Sequence, residues 1–94
     1  MSYTIKISAA VRRALRKYGR SGRFDRTKFD IAIHHLEREE LLPTQFHDHQ
    51  LHGTMVGFRE CHLGFDLLLV YKKNEVAQII TLTELGTHQE LFGE

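Results

Sequence analysis

Cysteine and proline occur once each, Cys61 and Pro43, and tryptophan is missing from the 94 residues. A lone cysteine excludes an internal disulfide and every C-x-x-C metal or redox motif. Long apolar runs are missing too. The longest, residues 67–71, has five members, against the roughly 20 a membrane span needs. No apolar segment follows the charged start, so no secretory leader is expected, and the cytoplasm is the expected location. At this length the chain reads as one domain over residues 1–94, with room for one core and one site. A buried cofactor would take core that it can hardly spare, and none is expected.

The net charge of +1 says little, but its distribution says more. Residues 1–29 carry nine Lys/Arg against the single acid Asp25, and the rest carries four against eleven. A basic third on a near-neutral chain suggests a polyanion or an acidic protein as partner.

Residues 3–7 alternate and favour a strand. Ser8 can cap a helix to Tyr18 with Val11, Ala14, Leu15 and Tyr18 on one stripe, ended by Gly19. Arg12, Arg16 and Arg20 line another face, with Arg13 and Lys17 beside them. Asp25 can cap a second helix reaching about Leu41, with Phe29, Ala32, Ile33 and Leu36 inward and Pro43 as its stop. Residues 43–54 read as a loop. Strands are expected over 56–62, 66–72 and 76–83, with a turn at 73–75 and a short C-terminal turn or helix. The order β-α-α-β-β-β implies an α+β fold, a helical hairpin on a small, mainly antiparallel sheet.

Seven histidines are many for this length. His34 and His35 fall mid-helix and read as solvated or partly packed. His47, His49, His52, His62 and His88 fall at loops and strand ends, where sites gather. The pattern lacks H-E-x-x-H, so a designed metal site is not expected, and a small metal-binding protein rests on histidine count alone. Cys61 lies between Glu60 and His62 on a strand, where neighbours point to opposite faces, and reads as core rather than nucleophile. RNA cleavage fits the composition better. The 2′-hydroxyl supplies the nucleophile, and histidines with a pKa of about 6.5 serve as base and acid without a metal.

Four segments carry a resemblance: Asp48-His49-Gln-Leu51-His-Gly53, Gly57-Phe58-Arg59-Glu60-Cys61-His62, Asp66-Leu-Leu-Leu-Val-Tyr71-Lys72, and Gly86-Thr87-His88 with Leu91-Phe92-Gly93. Their order and spacing resemble the YafQ branch of the RelE/ParE toxin superfamily, densely over residues 42–93 and in pattern only before that. The resemblance implies a RelE-like fold and the toxin of a bacterial type II toxin–antitoxin pair, which enters the 70S ribosome and cuts mRNA without a metal. It implies His49, His62, Asp66 and His88 as catalytic residues, with Phe92 contributing an aromatic ring. Of these, His88 is the expected acid, and His49 or Asp66 the base. Arg12, Arg13, Arg16, Lys17 and Arg20 are expected to meet RNA phosphates, and a cognate antitoxin to cover the basic surface or the site in a hetero-oligomer. Two positions depart from the pattern. Glu84 stands where active relatives carry an arginine for the scissile phosphate, and Leu67 where an aromatic is common. Glu84 implies attenuation unless Arg59 or the basic helix supplies the charge. The alternative is a non-catalytic module on the same fold, a gyrase poison or an attenuated toxin that still binds its antitoxin.

Overall fold

The structure is a computed structural model that describes residues 2–22, 24–64 and 66–93. Arg23, counted in the basic third, lies outside the described residues. Strand β1 (Thr4–Ile7) leads into helix α1 (Ala9–Ser21), and helix α2 (Arg26–Glu37) follows. Strands β2 (His49–Gln50), β3 (Arg59–Gly64), β4 (Leu67–Asn74) and β5 (Ile79–Gly86) come next, then the short helix α3 (His88–Phe92). The five strands form one sheet in the order β1-β5-β4-β3-β2. Only β1–β5 is a parallel pair. The expected α+β layout is therefore present, with the two-residue strand β2 added inside the expected loop.

The Ser8 hydroxyl accepts from the Val11 N–H at 3.1 Å, and Asp25 accepts from the Thr27 N–H at 3.0 Å. Both caps are the ones the sequence offers. The helix ends differ from expectation. α1 runs through Gly19 to Ser21, because Gly22, at φ 74°, supplies the left-handed residue that ends a helix. α2 stops at Glu37, short of Leu41. Glu37, Glu39 and Glu40 would crowd the negative end of the helix dipole, and Glu39 turns out at φ 60°. The freed Glu37 carbonyl accepts the Tyr3 N–H at 2.8 Å, joining the helix end to β1.

Strand boundaries also shift. A 3₁₀ turn over Gly53–Met55 delays β3 to Arg59. β4 and β5 pair as far as Asn74 and Ile79, which moves the turn from 73–75 to 75–78. Asn74 Oδ1 caps that turn from the Ala77 N–H at 2.9 Å. A bulge between Val70 and Tyr71 sets Leu82 opposite Tyr71 and Glu84 opposite Val70. The extra residue lets Leu82 and Leu85, three apart, both reach the core.

Helices α1 and α2 cover one sheet face. Val11, Phe29, Ala32 and Leu36 pack there with Cys61, Leu63, Leu69, Tyr71, Ile80 and Leu82. Cys61 is fully buried, and burial raises its thiol pKa far above the usual value. β4 is buried on both faces, as its continuous apolar run implies, so Leu68 and Val70 floor the opposite face. The described helices include none long and apolar enough to cross a membrane. His34 is exposed, and His35 is partly buried with Nδ1 3.1 Å from Glu40.

Candidate active site

Alternation along β3 decides what shares a face. Cys61 and Leu63 point into the core, so Glu60 and His62 point to the face that no long helix covers. β2 sets His49 opposite Glu60, β4 sets Val70 on its other side, and β5 adds Glu84. One row across the sheet therefore reads His49, Glu60, Val70, Glu84. The next row holds His62, Leu68 and Gly86. His88 follows at the start of α3, and Asp66 sits in the β3–β4 turn.

The rings form a chain. His62 lies centrally, with ring centroids 5.3 Å from His47, 6.2 Å from His49 and 6.0 Å from His88. The Asp66 carboxylate takes two hydrogen bonds from His88, from Nδ1 at 2.6 Å and from the backbone N–H at 3.2 Å. Those bonds hold the Asp66 pKa below the usual carboxylate range. They also fix the orientation of the ring. His49 donates from Nδ1 to the His47 carbonyl at 2.6 Å, and its Nε2 lies 3.4 Å from Glu60 Oε1. His62 Nε2 lies 3.6 Å from the same oxygen. Burial lowers the His62 pKa below 6.5. The charges of His47, His49 and His88 push the same way, and Glu60 opposes them. Glu60, 5% exposed, is the one charged residue buried among those described. Leu51, His52, Thr54, Met55, Glu60, His88 and Phe92 line one open groove.

Four of the expected residues, His49, His62, Asp66 and His88, thus gather on one face, and Phe92 borders the same groove. Arg59 does not join them. Its guanidinium meets Asp48 at 3.1 and 3.3 Å on the core side, and Asp48 also accepts from the Tyr71 hydroxyl at 2.5 Å. Asp48 stands between His47 and His49 in sequence. The trio therefore anchors the loop that presents both rings, with His47 in the left-handed region at φ 48° to make the turn. Arg59 thereby anchors this loop. Glu84 is exposed on the site's face, in the row of Glu60.

Arg12, Arg13, Arg16, Lys17 and Arg20 all lie on the exposed side of α1. Arg12 Nε donates to the Ile7 carbonyl at 3.3 Å. Lys17 Nζ meets Glu90 Oε2 at 2.5 Å, and the Tyr18 hydroxyl donates to Glu90 Oε1. Glu90 completes a capping box with Thr87. Its pKa falls to about 2, through the Lys17 hydrogen bond first and then Tyr18 and the Thr87 N–H. Tyr18 is pushed up to about 12, by burial first and then by Glu90. The basic helix and the helix bearing His88 are therefore latched together.

Sequence reasoning gave roles to neither Glu60 nor Glu90. A glutamate within R-E-C-H and a Thr-x-x-Glu capping pattern were the available signals. His49, Glu60 and His62 also form the one group of three metal-binding side chains found among the described residues, their donor atoms within 4.8 Å of one another. Two imidazoles and a carboxylate suit a transition-metal ion.

A segment of 52 residues is 36% identical to mRNA interferase toxin YafQ of Escherichia coli K12, covering 55% of this chain and 54% of that protein. The chain thus spans about half the length of the curated relatives it matches. Over whole folds, the metal-bound toxin from Helicobacter pylori superposes with a TM-score of 0.88 at 37% identity, covering 98% of this chain and 100% of that one. YafQ in the E. coli DinJ-YafQ toxin-antitoxin complex gives 0.83 at 26%, covering 99% and 100%. Residues 3–93 match the family model described as bacterial toxin of type II toxin-antitoxin system, YafQ. By that match over nearly its whole length, the chain belongs to the YafQ toxin family.

Proposed function

We propose that this chain is a ribosome-dependent mRNA endonuclease, the toxin of a type II toxin–antitoxin pair, which cleaves through the substrate's own 2′-hydroxyl. The observation that carries this reading is the His88–Asp66 pair, 2.6 Å long, one ring away from His62 and two from His49. His49 is the base. Its Nδ1–H is spent on a carbonyl, so Nε2 is free to take the 2′-proton, and Glu60 balances the charge that appears. Asp66 is the weaker choice of base because His88 occupies one of its oxygens twice. His88, charge-assisted by Asp66, protonates the leaving 5′-oxygen. His62 lies between the two and meets the phosphate, and Phe92 stacks on a base at the groove's edge.

The exposed arginines of α1 grip ribosomal RNA, with salt-sensitive affinity. By analogy with the E. coli complex of YafQ with DinJ, a cognate antitoxin joins the chain in a hetero-oligomer. Glu84, facing the site, attenuates cleavage by repelling the phosphate, and Glu84→Arg raises the rate. The test adds purified chain to translating ribosomes with a defined mRNA and maps the 3′ ends. Discrete cuts that need ribosomes and end in cyclic or 3′-phosphate support the reading. No cutting by folded protein, or by its E84R variant, overturns it in favour of a binding module.

A second reading concerns metal. The His49–Glu60–His62 group, with a relative described as a metal-bound toxin, supports binding of a copper- or zinc-class ion here. An ion on His49 Nε2 would remove the base, so metal is expected to inhibit and a chelator to restore cutting. Activation by the ion would reverse that reading.

A further inference from the structure

Among the described residues, three cations near the histidine cluster are already engaged. Arg59 is held by Asp48, Lys17 by Glu90, and Lys72 lies over the Phe58 ring. The position expected to hold an arginine is Glu84. Lys28, in the first turn of α2, is different. It is exposed and has no ion-pair partner among the described residues. It lines two adjoining grooves. One also holds Leu63, Gly64, Asp66 and Thr87, and the other Gln45, His47, His62 and Gly64.

The two grooves share Gly64, at the end of β3. Strand β2 pairs only with Arg59 and Glu60, so among the described residues β3 from His62 onward has β4 on one side and no strand on the other. A path therefore leads from His62 and Asp66 along that edge to α2. The path also carries two carboxylates: Asp25 lines both grooves with its Oδ1 accepting the Thr27 N–H, and Asp66 lines one of them with its Oδ1 held twice by His88. Among the described residues Lys28 is the one lysine or arginine that lines either groove, and so the cation there that can meet a phosphate.

We propose that Lys28 binds a backbone phosphate of the mRNA next to the scissile one, in the groove between the β3 edge and the start of α2. This rests on the nuclease reading and gives that site a second phosphate subsite. An ammonium suits the task because it meets phosphate as a point charge and needs no fixed geometry.

The test compares wild type with Lys28→Gln in single-turnover cleavage of ribosome-bound mRNA at increasing toxin concentration. The half-saturating concentration is expected to rise roughly five- to tenfold, with the maximal rate within about twofold. The same pair is then assayed on mRNAs carrying one neutral methylphosphonate linkage at each position flanking the cut. One such linkage should weaken the wild type and erase its advantage over Lys28→Gln. Equal cutting by both proteins on unmodified mRNA overturns the proposal. So does a deficit of Lys28→Gln that persists whichever linkage is neutral, since the contact would then be with ribosomal RNA. Failure of the wild type itself to cut overturns the nuclease reading instead. Gly64→Leu, at a position where an added Cβ meets nothing within 4 Å, gives an independent check, because it fills the junction and should raise the same half-saturating concentration.

Discussion

At the scale of single residues, the site depends on carboxylates that set the rings. Asp66 holds His88 through two hydrogen bonds and remains ionised well below neutrality. Asp66→Asn keeps the volume but loses the charge that supports a protonated ring. It should lower the cleavage rate about tenfold or more, and His88→Ala about 10²- to 10⁴-fold. Rates measured for both variants on programmed ribosomes test the order. A larger loss for Asp66→Asn than for His88→Ala would make Asp66 the reacting group. Glu60 has the same relation to His49 and His62 but is buried, so its loss leaves both rings without a counter-charge.

At the scale of elements, α3 is too short to stand alone. It is held by Glu90, which joins Lys17, Tyr18 and the Thr87 N–H. Glu90→Ala should cost about 1 kcal/mol, since the pair is partly exposed and screened, or about 4–8 °C in Tm for a chain of this size. The sign follows from the lowered pKa. The contribution is complete above 4.5 and fades as pH falls towards about 2. Melting curves of wild type and variant should therefore converge at the acid end. Gly86 tests placement rather than stability. A Cβ there would lie 3.0 Å from Glu90 Oε1 and 3.1 Å from Leu91 Cδ2. Gly86→Ala should push α3 and His88 outward, losing more activity than Tm.

At the scale of the whole molecule, the fold gathers histidines and carboxylates on one face. Four histidine rings share the open face, and burial, with the charges of the other three rings, lowers the His62 pKa. The unfolded chain therefore takes a proton on this residue more readily than the folded one. Stability should fall as pH drops from 6.5 through the lowered native value. His62→Gln should flatten that part of the pH–stability curve, as read by denaturant unfolding between pH 7 and 5. An unchanged slope would mean that the other rings dominate the acid response.

Much of this was legible in local chemistry. Ser8 and Asp25 announce the caps, the 3.6-residue stripes name the faces of α1 and α2, and the apolar run of β4 declares a strand buried on both sides. Those features depend on near neighbours, which one sequence displays. The ends of α1 and α2 differ from the local signals because several residues offered a stop, and the choice fell to Gly22 and to the Glu37 carbonyl that accepts the Tyr3 N–H. The Arg59–Asp48 pair is not visible locally because the two stand 11 residues apart and meet through the pairing of β2 with β3. The position of β2 beside β3, the bulge that turns Glu84 towards the site, and the meeting of α2 with the β3 edge at Lys28 were likewise decided by strand register and long-range packing. Residue types and local periodicity determined which chemistry this chain can perform. Only the tertiary structure determined which charges face that chemistry, because pairing over long sequence separations is set by how the sheet closes and not by any one segment.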